Sequence, residues 1–130
     1  MNDEQWKKTI IQLTRVIFMS QFTVNLLQGS ISFNFSMSAA EKLKQEIALL
    51  MESLKEIAIQ AKSGGKPTPK KVMEYQHTGD VFFEVFCNPN IYGNPFSAKM
   101  LITVRDDRLR LTSEAELTRL IEDLDQYLNQ

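Results

Sequence analysis

Between residues 43 and 61 the apolar side chains Leu43, Ile47, Leu50, Met51, Leu54, Ile57, Ala58 and Ala61 recur at helical spacing, and polar residues fill the remaining positions. Such a stripe is the apolar face of an amphipathic helix. Ser38 followed by Glu41 reads as a capping box, in which the serine oxygen accepts from an early helical amide while the glutamate reaches back to the cap. The glycines and prolines of "SGGKPTPKK", residues 63–71, stop the helix. A helix of this length is stable in water only when its apolar stripe is packed, so the rest of the chain has to cover it.

Two blocks of alternating sequence supply the cover. Upstream, Phe22, Val24 and Leu26, then Ile31, Phe33 and Phe35, flank Gln28-Gly29-Ser30, the pattern of a hairpin with one buried face. Downstream, "KVMEYQH", "DVFFEVFCN", "AKMLITVR" and "RLRLT" are rich in β-branched and aromatic residues. The turn signals Thr78-Gly79 and Asp106-Asp107 help to separate them, which predicts an antiparallel meander. Trp6, Ile10, Leu13 and Ile17 predict an amphipathic helix over residues 3–19. A second capping box, Ser113 to Glu116, predicts a last helix that buries Leu117, Leu120, Ile121, Leu124 and Leu128 and turns Glu114, Glu122, Asp123 and Asp125 to water.

The expected fold is therefore α+β, a single domain over residues 1–130 in the order α-β-β-α-β-β-β-β-α, with helices packed on a central antiparallel sheet. At 130 residues the chain has the ordinary size of one domain and buries a core without staples. The order is similar to that of roadblock-like and profilin-like domains, a resemblance of element order alone.

Composition removes several function classes. With 43% hydrophobic and 24% charged residues and a formal charge of -1, the chain has no global field to gather nucleic acid or anionic lipid. One cysteine makes no intrachain disulfide, and one histidine leaves no zinc-ligand spacing to read. The acidic start "MNDEQWKK" is unlike a basic secretory leader, and the longest apolar run, "IALLM", is far too short to cross a bilayer. The expectation is a cytoplasmic protein with no membrane segment and no cofactor.

Chemistry-bearing residues are sparse. His77 falls at a strand end near Asp80, and Cys87 falls at the far end of the next strand, too distant for a Cys-His dyad. Cys87 also continues the alternation Val81, Phe83, Val85, so it reads as a small buried hydrophobe. "SGGKPTPKK" follows a helix and lacks Walker spacing, so it reads as an exposed connection whose lysines are free to meet an acidic partner. No residue set calls for an enzyme.

Two features remain as candidate sites. The loop "NPNIYGNPF", residues 88–96, is longer than the about two to five residues of an ordinary hairpin connection. Ile91, Tyr92 and Phe96 suit either a self-packed loop or a contact with a small molecule or partner through Tyr92. The second feature is the sheet face opposite the apolar alternation. It collects Phe82, Phe86, Leu101, Lys99, Arg105, Arg108 and Arg110, with Glu84 between the two rings.

Three readings of that face compete. The first helix and hairpin, with Trp6 and Ile10, cover it within the chain. Alternatively it is a protein interface, in simplest form a homodimer. In the third reading it binds single-stranded nucleic acid, with Phe82 and Phe86 stacking on bases. The expected function is a non-enzymatic protein-interaction or adaptor module. The alternative is a nucleic-acid-binding module, and a small-molecule site at the 88–96 loop ranks third. The candidate binding residues are Phe82, Phe86, Tyr92, Phe96, Lys99, Arg105, Arg108 and Arg110.

Overall fold

The computed structural model describes residues 2–17 and 19–130, the side chains of 12–17 and 19 excepted. The elements run α1 (Asp3–Ile17), β1 (Met19–Asn25), β2 (Ser30–Ser36), α2 (Met37–Lys62), β3 (Met73–Thr78), β4 (Phe82–Cys87), β5 (Lys99–Arg105), β6 (Arg110–Glu116) and α3 (Leu117–Leu128). This is the expected α+β order. The strands form two antiparallel sheets, a β1-β2 hairpin and a four-stranded meander β3-β4-β5-β6.

The hairpin turns at Gly29, whose φ of 91° is open to glycine at no steric cost, and the Leu26 N–H closes the turn on the Gly29 carbonyl at 2.9 Å. Its buried residues Phe22, Val24, Phe33 and Phe35 point at the meander, where Phe83 meets them. The Phe83 ring lies 4.8 Å from Phe33, 5.4 Å from Phe35 and 6.2 Å from Phe22, centroid to centroid. The hairpin is thus a second layer stacked on one face of the larger sheet. Because β1-β2 is not part of that sheet, β3 and β6 are its edges.

α2 follows β2 with no loop. Ser36, still extended at φ -83° and ψ 151°, caps it by accepting the Ala39 N–H at 3.1 Å, so the cap falls two residues before the expected Ser38. The buried stripe Leu43, Ile47, Leu50, Leu54 and Ile57 lies where the spacing places it, whereas Ala61 is exposed. Tyr75 on β3 donates its O–H to the Ala39 carbonyl at 2.9 Å, which ties the first turn of α2 to the sheet.

α3 starts later than the expected capping box. Ser113 to Glu116 form the last residues of β6, paired with β5 from Ile102↔Ser113 to Lys99↔Glu116. Cross-strand hydrogen bonds outcompete the local cap here, because β5 offers a full ladder partner for each of these residues. α3 packs on β1 and α2. Its Asp123, buried, accepts from both the backbone N–H (2.8 Å) and the side-chain amide (2.7 Å) of Asn25 at the end of β1. Tyr127 donates to the Phe35 carbonyl.

α1 packs on α2 and β2. Trp6 remains 56% exposed. Of the residues expected to line its apolar side, Leu13 and Ile17 lie outside the described side chains.

Leu54 is fully buried in the core between α2 and the sheet. Leu54→Ala should cost about 2–5 kcal/mol through lost transfer energy and the cavity left behind. At 130 residues this lowers the melting temperature by roughly 10 °C. Thermal unfolding followed by circular dichroism checks this, and an unchanged melting curve would remove Leu54 from the core.

Candidate functional site

Pairing register fixes which side chains share the second face of the meander. Thr78, Phe82, Arg105 and Arg110 form one row across the four strands. Gln76, Glu84, Thr103 and Thr112 form the next, and Glu74, Phe86, Leu101 and Glu114 the third. Lys99 and Glu116 extend it on β5 and β6. Their strand neighbours Phe83, Val85, Cys87, Met100, Ile102 and Val104 are all buried on the opposite face.

This second face is open. Leu101, in the centre of the third row on an interior strand, is 41% exposed, and Phe82 and Phe86 are half-buried by their neighbours alone. The elements α2, α3 and the hairpin bury their apolar sides against the first face, and α1 packs behind them on α2 and β2. The reading in which the first helix and hairpin cover the mixed face is therefore overturned. The inner aromatic cluster draws the hairpin to the other side.

The face has a built centre. Thr103, only 4% exposed, lies beneath the longer side chains around it. The Arg105 guanidinium sits over the Phe82 ring, 4.3 Å from its centroid, a cation–π contact that holds both side chains to the surface. Gln76 donates its amide to Glu84 at 2.6 Å across the adjacent strand. Among the described residues no salt bridge joins Lys99, Arg105 or Arg110 to Glu74, Glu84, Glu114 or Glu116. The charges run in order along the strands. Arg105 and Arg110 stand directly opposite each other at one end, while Glu74, Glu114 and Glu116 stand at the other.

The remaining candidate residues fall elsewhere. Arg108 and Leu109 belong to the turn between β5 and β6, not to the strand that the alternation implied. Their N–H groups both bond Asp106 Oδ1 at 2.8 Å, which holds the Asp106 carboxyl below the usual carboxylate range. Arg108 thus stands at the basic end of the face without belonging to its rows.

The 88–96 loop is spent on its own structure. Asn88 and Asn94 each cap a single turn of 3₁₀-helix that begins at a buried proline, Pro89 and Pro95. Tyr92 packs against the core and burial pushes its phenol up, whereas Phe96 is 85% exposed. Asn90 clamps the connection after α2, donating to the Lys70 carbonyl and accepting the Lys70 N–H, both at 2.7 Å. The "SGGKPTPKK" segment is thereby pinned at its end, and Lys70 also pairs with Glu56 on α2.

His77 and Cys87 both face the core, but His77 pairs with Phe83 and Cys87 with Met73. They lie about 13 Å apart along the strands, closer than the sequence implied and still out of reach of one another. Burial pushes the Cys87 thiol up to about 11. Burial and the charge of Lys42 lower His77, whose ring stands edge-on to Phe35 at 5.4 Å. Among the described residues no group of three or more histidine, cysteine or acidic side chains is placed to hold a metal ion, and no helix is long and apolar enough to cross a membrane.

Comparison with known proteins finds no family model, no curated protein and no solved structure that matches the chain. The likeness to roadblock-like and profilin-like domains accordingly extends no further than element order.

The acid–base behaviour of the core has checkable consequences. Cys87 should react with a thiol-alkylating reagent far more slowly than a free peptide thiol, because the reactive thiolate is disfavoured and shielded; reaction of the native protein at the peptide rate would contradict its burial. For His77 the folded state holds the ring below its unfolded value of 6.5. The unfolded chain then binds the extra proton, so stability is full above that value and is lost as pH falls through it. His77→Gln should flatten the fall in melting temperature between about pH 7 and pH 5.

Proposed function

We propose that this chain is a non-enzymatic protein-interaction module of the cytoplasm, and that the open face of the four-stranded sheet is its contact surface. One observation carries the reading. Among the described residues the elements packed on the larger sheet lie on its first face, and on the other an interior-strand leucine, paired with Phe86, is left facing water. Phenylalanine, leucine and arginine side chains exposed together on a sheet face have the composition of an interface.

The alternatives fare less well on the same surface. Four carboxylates, Glu74, Glu84, Glu114 and Glu116, share the face with three cations, Lys99, Arg105 and Arg110, a balance that repels a phosphate backbone. β6 contributes two of those carboxylates at positions the capping-box pattern assigns to a helix. A small-molecule site at the 88–96 loop would need polar groups that the loop already uses for itself.

A photoreactive residue placed at Leu101 should form covalent adducts with protein in cells expressing the chain. The same residue at exposed Leu49 on α2 should not. Phe86→Asp should remove the Leu101 adducts while leaving the circular-dichroism spectrum unchanged, because a carboxylate at a desolvated contact costs binding and a carboxylate on an open face costs little stability. Equal adducts at both positions, or unfolding of Phe86→Asp, would sink this reading. Binding of labelled single-stranded oligonucleotides that weakens with salt and with Arg110→Ala would favour the nucleic-acid alternative instead.

A further inference from the structure

We infer that the partner of the open sheet face is a second copy of this chain, stacked face to face about a two-fold axis that runs across the strands at the level of Thr103. The inference rests on the face being an interaction surface and names its occupant. Three features of the face carry it: the order of its charges, the symmetry of its rings and its size.

The charges come first. Along β6 the face reads Arg110, Thr112, Glu114, Glu116, and along β5 it reads Arg105, Thr103, Leu101, Lys99. One end is basic on the strands, and the adjoining turn sets Arg108 beside Asp106 and Asp107. The other end carries Glu74, Glu114 and Glu116 against the single Lys99. Arg105 and Arg110 face each other directly across two strands, a like-charged pair that costs stability wherever no counter-charge is near. Among the described residues no salt bridge reaches either arginine, and the opposite end of the same face holds three carboxylates.

Symmetry then selects the axis. A two-fold axis parallel to the strands would lay the basic end on the basic end and the acidic end on the acidic end. Turning the axis across the strands exchanges the first and third rows. Arg110 then meets Glu114 of the second copy, and Phe82 meets Phe86 of the second copy. Each meeting occurs twice, as an isologous interface requires. Arg105, held over the Phe82 ring, comes down on Leu101 of the second copy, a planar cation with an apolar underside on an apolar side chain. Sheets stacked face to face sit about 10 Å apart with strand directions within about 30° of each other, and the short Thr103 and Thr112 side chains at the axis suit that spacing. The one unfavourable meeting is Glu84 with Glu84 of the second copy beside the axis.

Size sets the strength. Four strands about 4.8 Å apart, two of six residues and two of seven at about 3.3 Å each, give a face of roughly 19 by 20–23 Å, near 400 Å² of flat area per copy. Two such faces total about 800 Å² of flat area before side-chain relief, in the range of weak, transient contacts. The dimer should therefore be in exchange with monomer in the micromolar range.

Sedimentation velocity on the purified 130-residue chain from about 1 to about 500 µM tests this directly. The expected result is a concentration-dependent shift from monomer to dimer. Arg110→Glu and Glu114→Arg should each weaken the dimer by about tenfold or more. The double variant Arg110→Glu/Glu114→Arg should restore it, because the swapped charges meet again across the axis. Glu84→Gln should tighten the dimer by removing the like charge beside the axis. Circular dichroism confirms that each variant keeps the wild-type fold, and Phe86→Asp should be a folded monomer at every concentration.

The outcomes separate. A wild-type chain that stays monomeric throughout, while Leu101 crosslinks to a different protein, overturns the second copy and leaves the interaction reading standing. A monomer with no adduct at Leu101 overturns both. A dimer that ignores the charge swaps is formed by another surface and overturns this one.

Discussion

The Phe83 ring is the point on which the rest of the fold depends. It projects from an interior strand of the meander and is met by Phe22, Phe33 and Phe35 from the hairpin and by Tyr75 from the neighbouring strand, with centroids between 4.8 and 6.2 Å away. Edge-on and tilted aromatic contacts of this kind add to the burial of large surfaces. They pull a two-stranded hairpin, too small to be stable alone, onto one face of a four-stranded sheet. Once the hairpin is there, α2 and α3 complete the same layer, since α2 continues directly from β2 and α3 from β6. The hairpin, α2 and α3 have then buried their apolar sides on one face of the larger sheet. The exposure of the other face follows from where the aromatic residues are.

Polar side chains decide the details within that plan. Asp123 is buried on α3, and it holds the end of β1 through two hydrogen bonds from one asparagine while Arg119 lies 3.5 Å from the same carboxylate. A carboxylate is tolerated in such a place because its lone pairs are satisfied. Asn90 does the equivalent in the loop after β4, where its amide reads both backbone groups of Lys70 and fixes a segment that composition alone describes as loose. The hairpin end is fastened to the edge of the meander by a backbone bond from the Leu27 N–H to the Glu114 carbonyl at 2.9 Å. These contacts join elements far apart in sequence and set the register of the layers.

Much of this was legible in the sequence, and the parts that were not share a cause. The helical stripe from Leu43 to Ile57, the hairpin about Gly29 and the meander all declared themselves through period, because a period is a local property. The mixed face was assembled correctly for Phe82, Phe86, Lys99, Leu101 and Arg105, since alternation along a strand decides which side each residue takes. What failed was competition between local and non-local hydrogen bonding. Ser113 to Glu116 has the pattern of a capping box, yet β5 offers those residues a longer ladder. Consequently two glutamates assigned to a helix stand on the sheet face. Ser38 lost to Ser36 because the strand runs straight into the helix. The alternation through Leu109 failed for a third reason: Asp106 accepts the two N–H groups that follow it and folds Arg108 and Leu109 into a turn. Coverage by α1 was beyond the sequence altogether, since an amphipathic period states that a helix packs and not where.

The correction to β6 changes what the open face is. Read with one glutamate, it is a basic aromatic surface of the sort that suits a polyanion. With Glu114 and Glu116 in place its charge nearly cancels, and the signs separate to opposite ends. A surface of that kind gains little from a partner of uniform charge, because one end is repelled as strongly as the other is drawn. The partner we propose carries the same two signs in reverse order. A face turned by half a revolution about an axis across its own strands presents that order, so the simplest complement to this surface is the surface itself.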